Sequence, residues 1–417
     1  MKYIERIADS VLEKYLRATG AVLIRGPKAC GKTETARRVA KSEIILDARA
    51  DVGQVMATDP RILLEGKTPR LIDEWQVEKN LWNYIRHEVD ARKEKGQFIL
   101  TGSANPEEDA NMHSGAGRFS VINLSTLTWL EMGHSDGMVS LKQLLQGTEV
   151  KPAFNDTVSL DLIIERLLKG GWPALYGMDP EAAEVVNRGY CDYLAEVDMS
   201  RISSKKRDPL KVRAIIRSIA RNIASQISSA TISRDASLDD TGISKPTVLD
   251  YLDALERVMI LENQPAFNAH VRSAAALTKS PKRHLADSSI AAAALGLGKE
   301  DLKADLMYTG LLFESLAYHE IKAYAQPNFL EVSFYRDSYD NEVDIIVSEN
   351  HRRWAAFEVK LGAGSIDEAA EKLIRFKNNI DTTKMAPPRS LNIITGTGFA
   401  HTRKDGVNVV PLQKLGV

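Results

Sequence analysis

The chain has 417 residues, 44% of them hydrophobic, with 55 Lys and Arg against 56 Asp and Glu and a net charge of −1. That length predicts two to four domains, and near-neutrality excludes a surface that is one continuous basic field, leaving local patches to be sought. Two cysteines without zinc-type spacing exclude a disulfide framework, the eight histidines are scattered without a ligand pair, no apolar run reaches the ~18 residues of a membrane span, and the charged start "MKYIERIADS" lacks a signal-peptide core; together these predict a cytoplasmic protein with no membrane partner.

The first predicted strand is Ala21–Arg25, a short apolar run. Behind it Gly26-Pro27-Lys28-Ala29-Cys30-Gly31-Lys32-Thr33 fits G-x-x-x-x-G-K-[ST], and "KTETARRVAK" then reads as a helix. Gly26 and Gly31 allow the tight path that turns backbone N–H groups inward around phosphate oxygens. Lys32 is placed to reach β- and γ-phosphates and Thr33 to put its hydroxyl on Mg²⁺. Cys30, inside the loop, is expected to pack rather than to do redox chemistry. Further strands are predicted at Glu43–Leu46, Arg70–Ile72, Phe98–Leu100 and Val121–Leu124. Alternation with helices predicts a parallel three-layer sheet over residues 1–135. Asp73 and Glu74 follow the third strand: Asp73 completes a metal site and Glu74 polarises the attacking water. At the end of "QFILTGS", Thr101, Ser103 or Asn105 is placed to sense a γ-phosphate, with a plain buried strand as the equal alternative.

Residues 136–211 read as a linker and a helical region, with "DLIIERLLK" broken by Gly170, Gly171 and Pro173. Residues 212–270 carry a second unit. Ile216, Ile219, Ile223 and Ile227 share a helical face, and a short helix, a turn at Gly242 and a helix opened by Ser244 and Pro246 follow. The pattern is helix-turn-helix, winged if "MILENQPAF" begins a hairpin. Basic residues cluster at Arg201, Lys205, Lys206, Arg207, Lys211 and Arg213, and again at Lys279, Lys282 and Arg283. DNA is the partner they suggest; solvated loops or a protein-binding module are the alternatives.

Residues 271–417 form the last predicted unit. A helix carries Glu314, and strands at Glu342–Val347 and Trp354–Leu361 carry Asp344, Glu358 and Lys360. Residues 358 and 360 point to one face of their strand. Asp344 and Glu358 can hold Mg²⁺ or Mn²⁺ through oxygen, with Lys360 beside the attacking water of phosphodiester hydrolysis. A self-neutralising lysine–carboxylate pair is the competing reading. No internal repeat or low-complexity segment interrupts the chain.

Over nearly its whole length the chain resembles the bacterial and archaeal ATP-binding proteins that join an N-terminal AAA-type ATPase domain to a C-terminal domain of unknown function. The resemblance rests on "GPKACGKT", "LIDEWQ", "FILTGS", "GAGR", "LTWLEMG", "GGWPAL", "GISKPTVLDYLDALE", "HLADSSIAAAALG", "LLFESLAYHEI", "NEVDIIV" and "FEVKLG", in that order. It implies a multidomain α/β chain: a P-loop NTPase three-layer α/β/α domain, a winged-helix middle and a restriction-endonuclease-like C-terminal α/β domain. The phosphate-loop lysine falls on Lys32, the acidic pair on Asp73 and Glu74, and the nuclease-like signature on Asp344, Glu358 and Lys360 with Glu314. A Gly-Arg pair falls on Gly117-Arg118, giving Arg118 a γ-phosphate-sensing role in its own chain or towards a neighbouring subunit of a homo-oligomer; a structural ion pair is the alternative. Lys28 and Ala29 replace the Arg and Gln usual in that family's loop. The expectation is an ATP- and Mg²⁺-dependent, DNA-associated protein with a nuclease-like domain. An ATP-driven switch whose last domain binds a partner without cutting, and a winged-helix transcription regulator, stand as the alternatives.

Overall fold

A computed structural model describes residues 3–102, 115–154, 158–199, 207–236, 243–267, 280–337, 341–350, 352–383 and 385–417. Ser103, Asn105, Arg201, Lys205, Lys206, Gly242 and Lys279, named above, lie outside the described residues. The chain divides into two compact units: Met1–Leu127 with Arg257–Met259, and Thr128–Glu256 with Ile260–Val417. Among the described residues no helix is long and apolar enough to cross a membrane.

The first unit runs α1 (Ile7–Ala18), β1 (Ala21–Arg25), α2 (Lys32–Arg37), β2 (Ser42–Ile45), α3 (Val52–Thr58), β3 (Arg70–Asp73), α4 (Leu81–Arg92), β4 (Phe98–Gly102) and β5 (Phe119–Asn123). The strands stand within two residues of the predicted bounds at each end. They form one parallel sheet in the order β2-β3-β4-β1-β5. Consecutive residues of each strand enter opposite cores, as a period of two requires. Leu23, Ile72, Phe98 and Leu100 pack with Trp75, Trp82 and Ile85 on one face. Val22, Ile24, Leu71 and Ile99 pack with Val11 and Leu12 on the other. The central strands β1, β3 and β4 are covered on both faces and have no polar side, which is why each reads as an apolar run. The order inserts β4 between β1 and β3. Their registers, Arg25 opposite Gly102 and Asp73 opposite Thr101, bring three strand ends to one edge of the sheet.

The second unit opens with β6 (Val139–Ser140), α5 (Leu141–Leu145), α6 (Leu160–Lys169) and α7 (Pro180–Tyr193), the last continuing into a π-helical turn at Leu194–Asp198. Gly170, at φ 71°, ends α6. Next come α8 (Pro209–Arg221), α9 (Ser229–Asp235), α10 (Lys245–Arg257) and the antiparallel pair β7 (Leu261–Gln264) and β8 (Lys282–Leu285). The helix carrying Ile216 and Ile219 stops at Arg221, so Ile223 and Ile227, both buried, reach the core from the segment beyond it, past Ala224 at φ 57°. The Ser244 hydroxyl caps α10 by accepting from the Thr247 N–H at 3.3 Å, and Val248, Leu252 and Leu255 are buried as their spacing predicts.

Helices α11 (Ser288–Leu295), α12 (Lys299–Ala304) and α13 (Leu306–Ala325) lead into β9 (Glu331–Arg336), β10 (Glu342–Asn350), β11 (Arg353–Lys360), α14 (Ile366–Asn378), β12 (Leu391–Thr395), β13 (His401–Thr402), β14 (Asn408–Pro411) and β15 (Leu415–Gly416). Six of these strands make a mixed sheet, β13-β14-β12-β11-β10-β9, and β15 pairs in parallel with β6.

Helix α13 buries a carboxylate with a measurable consequence. Glu320 is fully buried; its two oxygens accept the Trp129 N–H at 2.9 and 3.0 Å, and one accepts the Tyr324 hydroxyl. Burial pushes its pKa up to about 8, although the Tyr324 and Trp129 hydrogen bonds oppose the rise. A carboxyl whose folded pKa is raised keeps a proton that the unfolded chain has given up. Folding stability therefore falls as pH climbs from the ordinary glutamate range to about 8 and then levels off. Glu320→Gln, isosteric and neutral, is expected to match wild type near pH 4 and to be more stable at pH 8 by on the order of a few kcal/mol. Melting curves of both proteins across that range check this; parallel pH profiles would remove the assignment.

Candidate functional site

The site in the first unit starts where β1 ends. Gly26 lies against the neighbouring chain: a Cβ there would sit 2.1 Å from the Leu124 carbonyl oxygen and 2.9 Å from the Cys30 sulfur. Gly31 turns the loop into α2 at φ 100°, and Ala29 takes φ 63°. The path is thus set by close approach at its start and left-handed backbone at its end. Cys30 is wholly buried, its Sγ 3.5 Å from the Leu124 carbonyl oxygen, and burial pushes its thiol pKa up, which suits packing. Arg6 braces the loop by donating to the Cys30 carbonyl at 2.9 Å and to the carbonyls of Ser125 and Thr126 at 2.8 and 3.2 Å. Lys28 is half-buried beside buried Pro27.

Within the loop, the Lys32 ammonium donates to the Gly26 and Pro27 carbonyls at 3.0 and 2.9 Å. The Thr33 hydroxyl lies 2.9 and 3.2 Å from the two oxygens of Asp73. Thr101, at the end of β4, also donates to Asp73. Glu74 follows in left-handed backbone, φ 54°. For a residue with a Cβ this is a sparsely populated conformation, and it appears here on a carboxylate beside a candidate metal ligand. Burial raises the Glu74 pKa, against the opposing pull of Lys32 and of a hydrogen bond from the Gln76 amide. Four residues predicted from short motifs, Lys32, Thr33, Asp73 and Glu74, therefore gather at one sheet edge. Gln76, two residues beyond the carboxylate it holds, escaped the sequence reading although "DEWQ" contained it.

Arg118 is elsewhere. Its carbonyl accepts the Ala21 N–H at 3.1 Å, at the start of β1, and its guanidinium pairs with Asp90 at 2.7 Å. Five parallel residues separate that end of the strand from the phosphate loop, or about 16 Å at ~3.3 Å per residue. The expectation that Arg118 senses a phosphate in its own chain is corrected by this placement.

In the second unit, strand pairing brings Asp344, Glu358 and Lys360 together, with Glu314 reaching in from α13. Lysines fill the space between the carboxylates. Lys282 of β8 lies 2.7 Å from Glu314, 2.7 Å from Glu342 and 3.5 Å from Asp344. The other Asp344 oxygen accepts the Val359 N–H at 2.9 Å. Glu358, fully buried, has Lys372 of α14 at 2.8 Å and Lys360 at 3.4 Å. Burial and the Asp344 charge push Glu358 up to about 7, while Lys372 and Lys360 pull the other way. Burial would raise Asp344 too, but Lys282, Lys372 and Lys360 outweigh it and hold its pKa low. Among the described residues no three His, Cys, Asp or Glu side chains converge as a metal-ligand set.

The basic clusters also change character. Lys282 and Arg283 are buried rather than solvated, and Arg283 donates to the Ile227 carbonyl and to Asn263. Arg207 is buried against Asp250, and Arg213 pairs with Asp192 and Glu196. On α10, Lys245 is exposed, but so are Asp253 and Glu256, with Asp250 half-exposed beside them.

Residues 18–133 match the family model of an AAA domain. Residues 160–301 and 309–415 match two further models, each a domain of unknown function (DUF8612 and DUF4143). The chain thus joins an AAA domain to a DUF4143 domain. Uncharacterized proteins of Mycobacterium tuberculosis and Mycobacterium bovis are each 26% identical over 361 residues, 85% of this chain and 73% of theirs. Among solved structures, a Walker-type ATPase of Pyrococcus abyssi aligns with a TM-score of 0.44 at 13% identity, over 70% of this chain and 96% of that one. A signal-transduction ATPase with a tetratricopeptide repeat sensor from Pyrococcus horikoshii aligns at 0.22 and 14%, over 77% and 48%.

Proposed function

We propose that the first unit binds and hydrolyses ATP with Mg²⁺. The observation that carries this reading is the Thr33 hydroxyl 2.9 Å from Asp73, with Lys32 in the loop and Glu74 next in the chain. A hydroxyl and a carboxylate are the hard oxygen donors that Mg²⁺ selects, so Thr33 and Asp73 fit the ion and would hold it. When bound, Mg²⁺ supplies charge neutralisation at the phosphates. Lys32 and the backbone N–H groups of residues 28–33 hold the β- and γ-phosphates. Glu74 accepts the proton of the attacking water, and Gln76 orients that carboxylate. Phosphate release by the full chain, with Mg²⁺ and with chelator, tests the reading: Mg²⁺-dependent turnover supports it, and no turnover of ATP under either condition sinks it.

For the second unit two layouts bear on function. The order α8, α9, α10, β7, β8 supports a winged-helix reading, and α13-β9-β10-β11-α14-β12 supports a restriction-endonuclease-like one. The side chains argue against DNA cutting. Lys282 stands among the carboxylates, and the acids on α10 would repel phosphate. The unit is accordingly read as a module that binds a protein partner under the control of the ATPase. Incubation with supercoiled plasmid, Mg²⁺ or Mn²⁺, with and without ATP, is expected to leave the DNA intact. Nicking lost in Asp344→Ala would restore the nuclease reading, and DNA affinity falling steeply with salt would restore the DNA-binding one.

A further inference from the structure

We propose that Lys282 is the resident cation of the second unit's carboxylate pocket, supplying the positive charge that a divalent metal would otherwise bring and making the pocket independent of metal. This deepens the non-cutting reading of that unit and is independent of the ATPase reading.

An ammonium has three N–H donors and no acceptor. The Lys282 nitrogen faces three carboxylates from two elements: Glu314 of α13, then Glu342 and Asp344 of β10. Its side chain is only 3% exposed. Burial alone would favour the neutral amine, but Glu314, Asp344 and Glu342 together outweigh it and hold the pKa above the usual lysine range. Bases match acids in number across the cluster. Glu314, Glu342, Asp344 and Glu358 face Lys282, Lys360 and Lys372, with Arg336 3.8 Å from Glu342. Four acids therefore meet four bases. A divalent ion entering this cluster would compete with the buried Lys282 ammonium and with the protons that burial favours on Glu314 and Glu358, and a second buried cation beside that ammonium is strongly disfavoured.

Expulsion is opposed by more than charge. Lys282 opens β8, and β8 pairs with β7 through Lys282 opposite Gln264. The Gln264 amide donates to the carbonyls of Ser333 on β9 and Asp344 on β10, each at 2.9 Å. Gln264 Oε1 lies 3.1 Å from His284 Nε2, and His284 Nδ1 3.0 Å from the Ser315 hydroxyl. The cation is thus tied through β7 to β10, the strand that carries two of its carboxylates, and to β9 beside it.

The test uses the full chain without nucleotide and titrates Mn²⁺ alone, followed by electron paramagnetic resonance and by melting temperature. Wild type and Asp344→Asn are expected to titrate alike, because any weak Mn²⁺ binding near Thr33 and Asp73 is common to both. Lys282→Met should gain a saturable site, tighter than wild type by at least about tenfold, and its lowered melting temperature should recover as the site fills. Adding Asp344→Asn to Lys282→Met should remove the gain. Should Lys282→Met not fold, Lys282→Met/Glu342→Gln removes one charge of each sign and takes its place. Asp344-dependent Mn²⁺ binding by wild type overturns the proposal, as does a folded Lys282 variant that gains no site. Plasmid nicking by wild type would instead sink the non-cutting reading. Asp344-dependent Mn²⁺ binding without nicking would sink this inference alone.

Discussion

Glu74→Gln is expected to hold ATP and lose its turnover, with kcat lower by roughly 10²–10⁴-fold, the range associated with a positioned general base. The amide has the shape of the carboxylate, and the Gln76 amide can still donate to its oxygen, so the turn at φ 54° is kept. What disappears is the capacity to take a proton. Nucleotide affinity, measured by binding under non-turnover conditions, should stay near that of wild type. Because burial raises the Glu74 pKa, the acid limb of the wild-type pH–rate profile should lie above the ordinary glutamate value. That limb should vanish from the residual activity of the variant. Equal turnover by the two proteins would take the base role away from Glu74.

Lys32→Ala should fail one step earlier. Its ammonium is the cation placed to reach the β- and γ-phosphates, and a charge-assisted hydrogen bond to phosphate contributes about 1.5–3 kcal/mol, so the loss of affinity is about 10- to 150-fold for each bond lost. Turnover goes with it. The same nitrogen donates to the Gly26 and Pro27 carbonyls, so the substitution also leaves two acceptors without this donor. A fall in stability of about 1–3 kcal/mol is expected alongside. The two variants therefore separate cleanly in one pair of measurements: Glu74→Gln binds without turning over, and Lys32→Ala does neither. Undiminished ATP affinity in a folded Lys32→Ala protein would mean that the phosphates are held elsewhere.

How much of this the sequence disclosed depended on distance along the chain. The phosphate loop is eight consecutive residues, and its two glycines are required by contacts and dihedrals that the spacing already encodes. The central parallel strands were legible because burial on both faces makes each an apolar run. The insertion of β4 between β1 and β3 is invisible in any single strand, since the runs do not say which is their neighbour. In the second unit the visible signals were acids interrupting apolar strands, at Asp344 and Glu358. Their actual partners were hidden. Lys282 lies in a strand whose four residues Lys282–Leu285 are all buried although three are polar, a pattern that hydropathy assigns to a solvated loop. Lys372 sits on a helix with an ordinary amphipathic sequence, and nothing in that sequence says that its amine reaches Glu358. The own-chain sensing role of Arg118 was set aside for the complementary reason: its sequence neighbourhood fits a sensor, but the start of a parallel strand faces away from the strand ends where the phosphate loop lies.

The insertion of β4 also fixes an order of assembly. Strand β1 hydrogen-bonds to β4 and β5 and to no strand made before them. More than half of the first unit separates it in sequence from those partners, and closing so long a loop costs entropy before any pairing offsets it. The phosphate loop is attached to this late-pairing strand. Its shape also leans on the Leu124 carbonyl at Gly26 and on Arg6 reaching Ser125 and Thr126. During synthesis the loop residues emerge early, whereas the surfaces that mould them come last. Fragments of the first unit that stop short of Asn123 would carry the phosphate-loop sequence without the phosphate loop's conformation.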